Sequence, residues 1–227
     1  GPGIQSISAL CEVTGGGRGW TLIDASTTPA QLASARALKT VMAYDDYQQG
    51  AGLAPGATDN ACGVAIVLEL ARVMARHRFR HDLKFAAWNG EEAGGPGSRA
   101  YVREAVEKRE ALALYFNFDS SGYDPSDRLI LDVIFNDKAS GIAERMEKDN
   151  RLYGLGFTLT RNVHGCFSDH KPFWAAGFCG VMTHAEQHGP AHSVNDTVDK
   201  ISARYAKKNA QLGLAVLAEL AGLAAGR

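Results

Sequence analysis

The feature that most constrains the fold is the alternation of short apolar runs with stretches of helical periodicity. The runs have the length and composition of buried strands, and many are followed by a longer helical segment. This order predicts an α/β fold, a three-layer sandwich with a mixed, mostly parallel central sheet flanked by helices. The predicted strands are residues 7–13, 20–24, 40–44, 83–88, 112–118, 129–135 and 178–183, and the predicted helices are residues 29–38, 61–77, 98–108, 140–150 and 203–225.

One predicted helix is unusual because it is apolar almost all the way round. The stretch from Ala61 to Met74 contains a single acidic and a single basic side chain. A surface helix would instead show an apolar stripe with a polar opposite face. We therefore predict that this helix is buried on most faces, in the middle of the domain.

The length and charge of the chain restrict its class further. Its 227 residues can bury a large core, so we predict a single domain over residues 1–227. With 24 Lys and Arg against 25 Asp and Glu the formal net charge is -1, and we expect no nucleic-acid partner and no membrane partner. No apolar run approaches the roughly 20 residues of a membrane helix, and no signal peptide is visible in the first residues.

Acidic residues follow several of the predicted strands directly. Glu91 and Glu92 follow one strand, Asp119 lies at the end of another, and Asp45 follows a third. Ligand sites of such sheets lie at the carboxyl ends of the strands, where these side chains would converge. Because clustered carboxylates repel one another, the cluster predicts a bound cation.

Two further residues extend this candidate site. Asp59 lies at the entrance of the apolar helix, and His192 lies in a turn-rich segment late in the chain. Carboxylate oxygens and one imidazole nitrogen make a catalytic zinc shell with a position left open for water. In a Glu-Glu pair, one side chain can bind the metal while the other takes the proton of the activated water.

At these positions the sequence resembles the zinc aminopeptidases typified by bacterial leucyl aminopeptidase, Streptomyces aminopeptidase and aminopeptidase Y. Five motifs occur in the order of that superfamily. They are Pro55-Gly-Ala-Thr-Asp-Asn-Ala-Cys-Gly63, Trp88-Asn-Gly-Glu-Glu-Ala93 with Gly97-Ser-Arg-Ala-Tyr101, Asn117-Phe-Asp119 with Gly122-Tyr123, Ser168-Asp-His170 with Pro172-Phe173, and His192 with Asp196-Thr-Val-Asp199.

The resemblance implies a role for each site residue. Asp59 would bridge two zinc ions, Glu92 and His192 would complete one site, and Asp119 would complete the other with a histidine from an early motif. Glu91 would be the general base in hydrolysis of the N-terminal residue of a peptide. The resemblance also implies a cis peptide bond between Asp59 and Asn60, and a secreted or periplasmic location, although the sequence alone leaves localisation unknown.

The sequence departs from the superfamily pattern at the early histidine. Ala43 stands where that ligand is expected, and an alignment shifted by one residue would place Tyr44 there instead. The remaining set, Asp59, Glu92 and His192, also resembles the single-zinc site of animal-type glutaminyl cyclases. Two alternatives to an aminopeptidase therefore stay open. One is a single-zinc glutaminyl-cyclase-like acyltransferase, and the other is a catalytically degenerate homologue that binds metal or peptide.

Other reactive side chains have simpler interpretations. The four cysteines have no CxxC spacing, so we expect buried thiols, with a Cys166–Cys179 disulfide as the alternative. Asp169 and His170 are interpreted as a structural hydrogen-bonded pair. Trp174 and Phe167 are candidates for an apolar specificity pocket, while Gly165 stands near where some aminopeptidases carry a tyrosine that stabilises an oxyanion.

Overall fold

The structure is a computed structural model that describes residues 54–165, 167–187 and 189–223, together with three short strands nearer the N-terminus. The strands are β1 (Ala9–Glu12), β2 (Trp20–Leu22), β3 (Met42–Ala43), β4 (Tyr115–Phe118), β5 (Ile130–Phe135), β6 (Thr158–Val163) and β7 (Gly180–Ala185). The helices are α1 (Cys62–Met74), α2 (Pro96–Glu107), α3 (Ser140–Leu152), α4 (His170–Ala175) and α5 (Ala203–Leu220), and short helical turns lie at Ala57–Ala61, Glu91–Ala93, Asp137–Ala139 and Val198–Lys200.

The described strands form two sheets. The larger sheet has the order β4-β7-β5-β6, in which β4 is parallel to β7, β5 is parallel to β6, and β5 is antiparallel to β7. The smaller sheet has the order β2-β1-β3 and is antiparallel. Two of the three pairings in the larger sheet are parallel, so the predicted α/β fold with a mixed, mostly parallel sheet is confirmed.

Alternation of side chains along β4 separates the two faces of the larger sheet. Phe116 and Phe118 point to one face, where they pack against α1 and α5. Tyr115 and Asn117 point to the other face, where the Tyr115 ring stacks on Phe173 of α4 at 3.7 Å between centroids. Helices thus cover both faces, and the chain leaves β4 directly into Asp119.

The main core lies between the sheet and helices α3 and α5. Apolar side chains from β5 and β7 meet one face of each helix there, and burial of this area is the main stabilising contribution to the fold. The fully buried members include Leu131, Val133, Val181, Met146, Tyr205, Leu212 and Val216.

The structure corrects several of the predicted elements. Residues 83–88 pair with no strand among the described residues, and Phe85 is exposed, so that predicted strand is wrong. Helix α1 packs on α5 and β4 through one face while Val64 and Leu68 are exposed, so its prediction as a mostly buried central helix is also wrong. An apolar composition alone does not determine how many faces of a helix are covered by other elements.

Two elements were not predicted. Strand β6 is exposed along most of its length and contains mainly polar side chains, so its sequence lacks an apolar run. The short helix α4 was also missed. Strand β6 exists because its backbone forms a six-residue parallel ladder with β5.

The predicted helix 29–38 lies outside the described residues. The prediction of one domain over residues 1–227 stays a prediction. Among the described residues, the structure contains no helix that combines the length and apolarity needed to span a bilayer.

Candidate metal centre

Three side chains from separate segments meet at the end of the sheet. Asp59 comes from the turn before α1, Glu92 from the short turn after residue 90, and His192 from the loop before α5. The His192 Nε2 atom lies 2.8 Å from Asp59 Oδ2 and 2.8 Å from Glu92 Oε1. One ligand atom from each residue lies within 4.8 Å of the other two, which lets all three bind one ion. We call these three residues the triad.

Asp196 fixes the backbone of the first triad residue. Its fully buried carboxylate accepts hydrogen bonds from Thr58 N at 2.8 Å, from Thr58 Oγ1 at 2.6 Å and from Asp59 N at 3.1 Å. The peptide bond between Asp59 and Asn60 is cis, as the resemblance implied. Asp196 therefore acts on the triad through the backbone, without facing its ligand atoms.

The next residues tie the same turn to strand β4. The Asn60 side chain donates to Phe118 O at 2.9 Å and accepts from Gly63 N at 3.1 Å. A Cβ atom at Gly63 would lie 2.3 Å from Phe118 O, so only glycine fits between the turn and the strand. This contact holds Asp59 beside the end of β4, next to Asp119, which is the first residue after the strand.

Glu91 lies next to the triad in a strongly acidic environment. Burial is the largest cause that raises its pKa to about 9, and the nearby carboxylates of Asp119, Glu92, Asp169 and Asp59 contribute to the same rise in that order of effect. Such an environment favours the neutral carboxylic acid when no cation is present. A cation at the triad would oppose this effect and favour the carboxylate, which can then exchange a proton near neutral pH.

Asp119 lies beside the triad but is not one of its three members. It is 9% exposed, and burial together with the charge of Asp59 raises its pKa to about 7. The Ser168 hydroxyl donates to Asp119 Oδ2 and opposes that shift. Asp119 thus lies near enough to Asp59 to feel its charge, and its role as a ligand of a second ion stays a prediction.

Among the residues whose side chains are described, the metal-binding group contains one imidazole, that of His192. The sequence has Ala43 in strand β3 where the resemblance implied that ligand, and Tyr44, Asp45 and Asp46 lie outside the described residues. The described residues therefore supply one set of three ligands, and a second ion site stays a prediction.

The charge distribution shows that the triad fits a cation. Hydrogen bonds to Asp59 and then to Glu92 raise the pKa of His192 to about 10, so the two carboxylates stabilise a positive charge between them. A metal ion supplies the same positive charge and leaves the imidazole neutral as a ligand. Two carboxylate oxygens and one imidazole nitrogen are a donor set that suits zinc.

Several other predicted residues have different roles from those expected. No hydrogen bond joins Asp169 to His170, because neither ring nitrogen of His170 has a partner in hydrogen-bond geometry, so the predicted pair is wrong. The two side chains point into different surroundings although they are adjacent in sequence. His164 pairs with Asp137 at 3.2 Å in an exposed position.

The remaining motif residues are placed as follows. Cys179 is a free thiol that hydrogen bonds Lys138 O at 3.4 Å, so the alternative of a bridge to Cys166 is not realised, and Cys166 itself lies outside the described residues. Trp174 donates to Gly180 O at 3.1 Å. Phe167 is exposed, and the apolar specificity pocket that includes it stays a prediction.

Comparison with known proteins identifies the family. Residues 33–217 match the model of peptidase family M28. The chain belongs to peptidase family M28. Aminopeptidase YwaD of Bacillus subtilis is 29% identical over 159 residues, which cover 65% of this chain and 34% of that protein. A probable zinc metalloprotease of Pyrenophora tritici-repentis is 28% identical over 169 residues, which cover 60% of this chain and 38% of that protein.

Solved structures agree with this assignment. An aminopeptidase from Aneurinibacillus sp. strain AM-1 superposes with a TM-score of 0.65 at 30% identity, covering 75% of this M28 chain and 41% of that chain. A glutaminyl cyclase of Fimbriiglobus ruber superposes with a TM-score of 0.63 at 18% identity, covering 75% and 64%, and shares the fold. The M28 chain spans well under half the length of the two curated relatives.

Sequence reasoning missed the residues that support the site. Asp196, Asn117 and Ser168 lay inside the quoted motifs, but no role was inferred for them. The alternation of Tyr115 and Asn117 along β4, just before Asp119, is a usable signal because such residues share a face of the sheet. Their partners come from distant segments, which the spacing does not reveal.

Proposed function

We propose that this M28 chain is a zinc-dependent aminopeptidase that removes the N-terminal residue of peptides. The observation that carries the proposal is the meeting of Asp59, Glu92 and His192 around one position with Glu91 beside them. The named relatives are aminopeptidases and zinc metalloproteases, which supports both the metal and the peptide substrate.

Each residue then has a defined task. Asp59, Glu92 and His192 would hold zinc, which supplies a Lewis acid for the scissile carbonyl and lowers the pKa of its bound water. Glu91 would accept the proton of the attacking water and return it to the amine nitrogen that leaves. Asp119 and Glu91 would present negative charge to the protonated amine of the substrate.

Replacement of the base tests this assignment. We expect Glu91→Gln to lower kcat by about 1000-fold or more, because an amide cannot accept the water proton. Zinc affinity should change little, since Glu92 and the other ligands remain. The matched control is Glu107→Gln on the exposed side of α2, which should keep full activity.

The assay should include two substrates so that the reaction class is decided as well. A leucyl anilide reports hydrolysis, whereas a peptide with N-terminal glutamine reports cyclisation, in which no water is consumed. Turnover of the glutamine peptide alone would contradict the proposal. Absence of turnover by the zinc-loaded wild-type protein would also contradict it and would favour a homologue that binds without catalysis.

A further inference from the structure

A continuous chain of hydrogen bonds runs to Asp119 from Trp88, which lies just before the turn that carries Glu91 and Glu92. The Trp88 indole Nε1 donates to the Tyr115 hydroxyl at 2.9 Å, and that hydroxyl lies 3.2 Å from Asn117 Oδ1. The amide nitrogen of the same asparagine continues the chain, because Asn117 Nδ2 donates to Ser168 Oγ at 2.9 Å. The Ser168 hydroxyl then donates to Asp119 Oδ2.

Both ends of this chain fix its direction. An indole N–H can only donate, and a carboxylate can only accept. Ser168 must therefore donate to Asp119 and accept from the Asn117 amide. The Asn117 carbonyl oxygen is then left to accept from Tyr115, whose oxygen accepts from Trp88. None of the three inner members, Tyr115, Asn117 and Ser168, can reverse its orientation without breaking two bonds.

The surroundings hold the chain in place. Asn117, Ser168 and Asp119 are 8%, 2% and 9% exposed, so water has little access to compete for these bonds. Tyr115 and Asn117 alternate along β4 and therefore share a face, and Asp119 follows the strand directly. The ring of Tyr115 stacks on Phe173 with an interplanar angle of 5°, which fixes the direction of its hydroxyl.

We propose that Trp88, Tyr115, Asn117 and Ser168 form a hydrogen-bond relay that positions Asp119 and links it to the segment leading into the turn with Glu91 and Glu92. The relay members are positioning residues, since none of them belongs to the triad. The inference rests on the proposed function, because the relay would affect catalysis only by holding the Asp119 carboxylate in position. It explains why polar side chains occupy a buried face of β4 that otherwise packs against aromatic rings.

The test removes single links while keeping the surrounding shape. Tyr115→Phe keeps the stacked ring and loses the hydroxyl, and we expect kcat to fall about five- to tenfold with KM changed less than about twofold. Ser168→Ala removes the last link, and Ser168→Thr should restore activity to within about threefold because it returns a hydroxyl. The matched control is Tyr205→Phe, which removes a buried hydroxyl that donates to Ile130 O at 2.7 Å in the main core.

Two results distinguish a relay from separate bonds. A relay predicts that Tyr115→Phe combined with Ser168→Ala costs about as much as Ser168→Ala alone, since one broken link already frees Asp119. It also predicts that Ser168→Ala shifts the indole N–H resonance of Trp88 in the metal-free protein by more than Tyr205→Phe does. The chain has three tryptophans, and Trp88→Phe assigns the resonance.

The outcomes are separable from those of the proposed function. Additive losses, an unmoved Trp88 indole resonance, or equal activity in Tyr115→Phe and Tyr205→Phe would overturn the relay. If the wild-type protein hydrolysed no substrate, the proposed function would fail, and the indole resonance alone would decide the relay. A shift in Ser168→Ala would then support it, and no shift would overturn it.

Discussion

His192 lies between two carboxylates at the end of the sheet, whereas His170 lies in the apolar contact between α4 and its neighbours. Carboxylates 2.8 Å away raise the pKa of His192 to about 10. Burial lowers the pKa of His170 to about 4, with the charge of Lys171 adding to the shift. Its ring lies 4.3 Å from that of Trp174 and is fully buried.

The difference shows how charge rather than sequence context separates a histidine whose surroundings suit a cation from one whose surroundings do not. Both residues belong to family motifs, and both are within the same half of the chain. Only His192 has the acidic neighbours that stabilise a cation. A site of this kind prefers a positive charge, while the pocket of His170 excludes one.

The first prediction concerns zinc binding by His192, where we expect the greatest loss. We expect His192→Ala to lower zinc affinity by at least about 100-fold and to abolish turnover, because only two carboxylate ligands remain. Zinc titration of the metal-free protein measures this. In His170→Leu, zinc affinity should stay within about twofold, and a comparable loss in both variants would contradict the separation of roles.

A second prediction concerns the support of Asp59 opposite His192. Asp196→Ala leaves the three donors on Thr58 and Asp59 without their acceptor, so the free energy of unfolding should fall by about 3 kcal/mol. Zinc affinity should fall about tenfold, since the ligand is less well held. Urea denaturation and zinc titration report the two effects.

The matched control for that prediction lies in the same motif. Asp199 is exposed and contacts Thr197 and Lys200, away from the triad. We expect Asp199→Ala to change the free energy of unfolding by no more than about 0.5 kcal/mol. Equal losses in the two variants would show that Asp196 has no special role.

The third prediction concerns His170 and the pH dependence of stability, where we expect a smaller change. Because the pKa of His170 is lowered to about 4 in the folded protein, the unfolded chain binds the proton more readily between that value and the usual one near 6.5. The stability that neutral His170 contributes is therefore present above about pH 6.5 and is lost as the pH falls toward 4. Between pH 7 and pH 5 this loss should be about 2 kcal/mol.

Urea denaturation of the wild-type protein and of His170→Leu at both pH values checks the sign and the size. The variant should lack this part of the pH dependence, while its stability at pH 7 should change little. A variant that loses stability on acidification as steeply as the wild-type protein would place the titration elsewhere.

Much of the fold and the choice of candidate ligands could be predicted because they depend on residue type and order. Apolar runs identified most strands of the larger sheet, and the motifs named Asp59, Glu92 and His192 before any distance was known. Residues 83–88 show the limit of that reasoning. Their apolar run is typical of a strand, but a strand also requires a hydrogen-bonding neighbour.

The supporting residues could not be predicted because their roles depend on contacts between distant segments. Asp196 meets Thr58 across 138 positions, and Ser168 meets Asp119 across 49. The sequence shows which donors and acceptors a serine or asparagine side chain has, but it does not show which partner that side chain meets. For the same reason, His170 was paired with its sequence neighbour and not with the apolar surroundings that the structure gives it.

The proposed metal site requires Asp59, Glu92 and His192 to share one zinc ion. Anomalous diffraction at the zinc absorption edge from crystals of the zinc-loaded protein tests it directly. We predict a peak about 2 Å from His192 Nε2 and from one carboxylate oxygen each of Asp59 and Glu92. Absence of a peak between these three side chains, with the strongest zinc signal at another group of residues, would contradict the account.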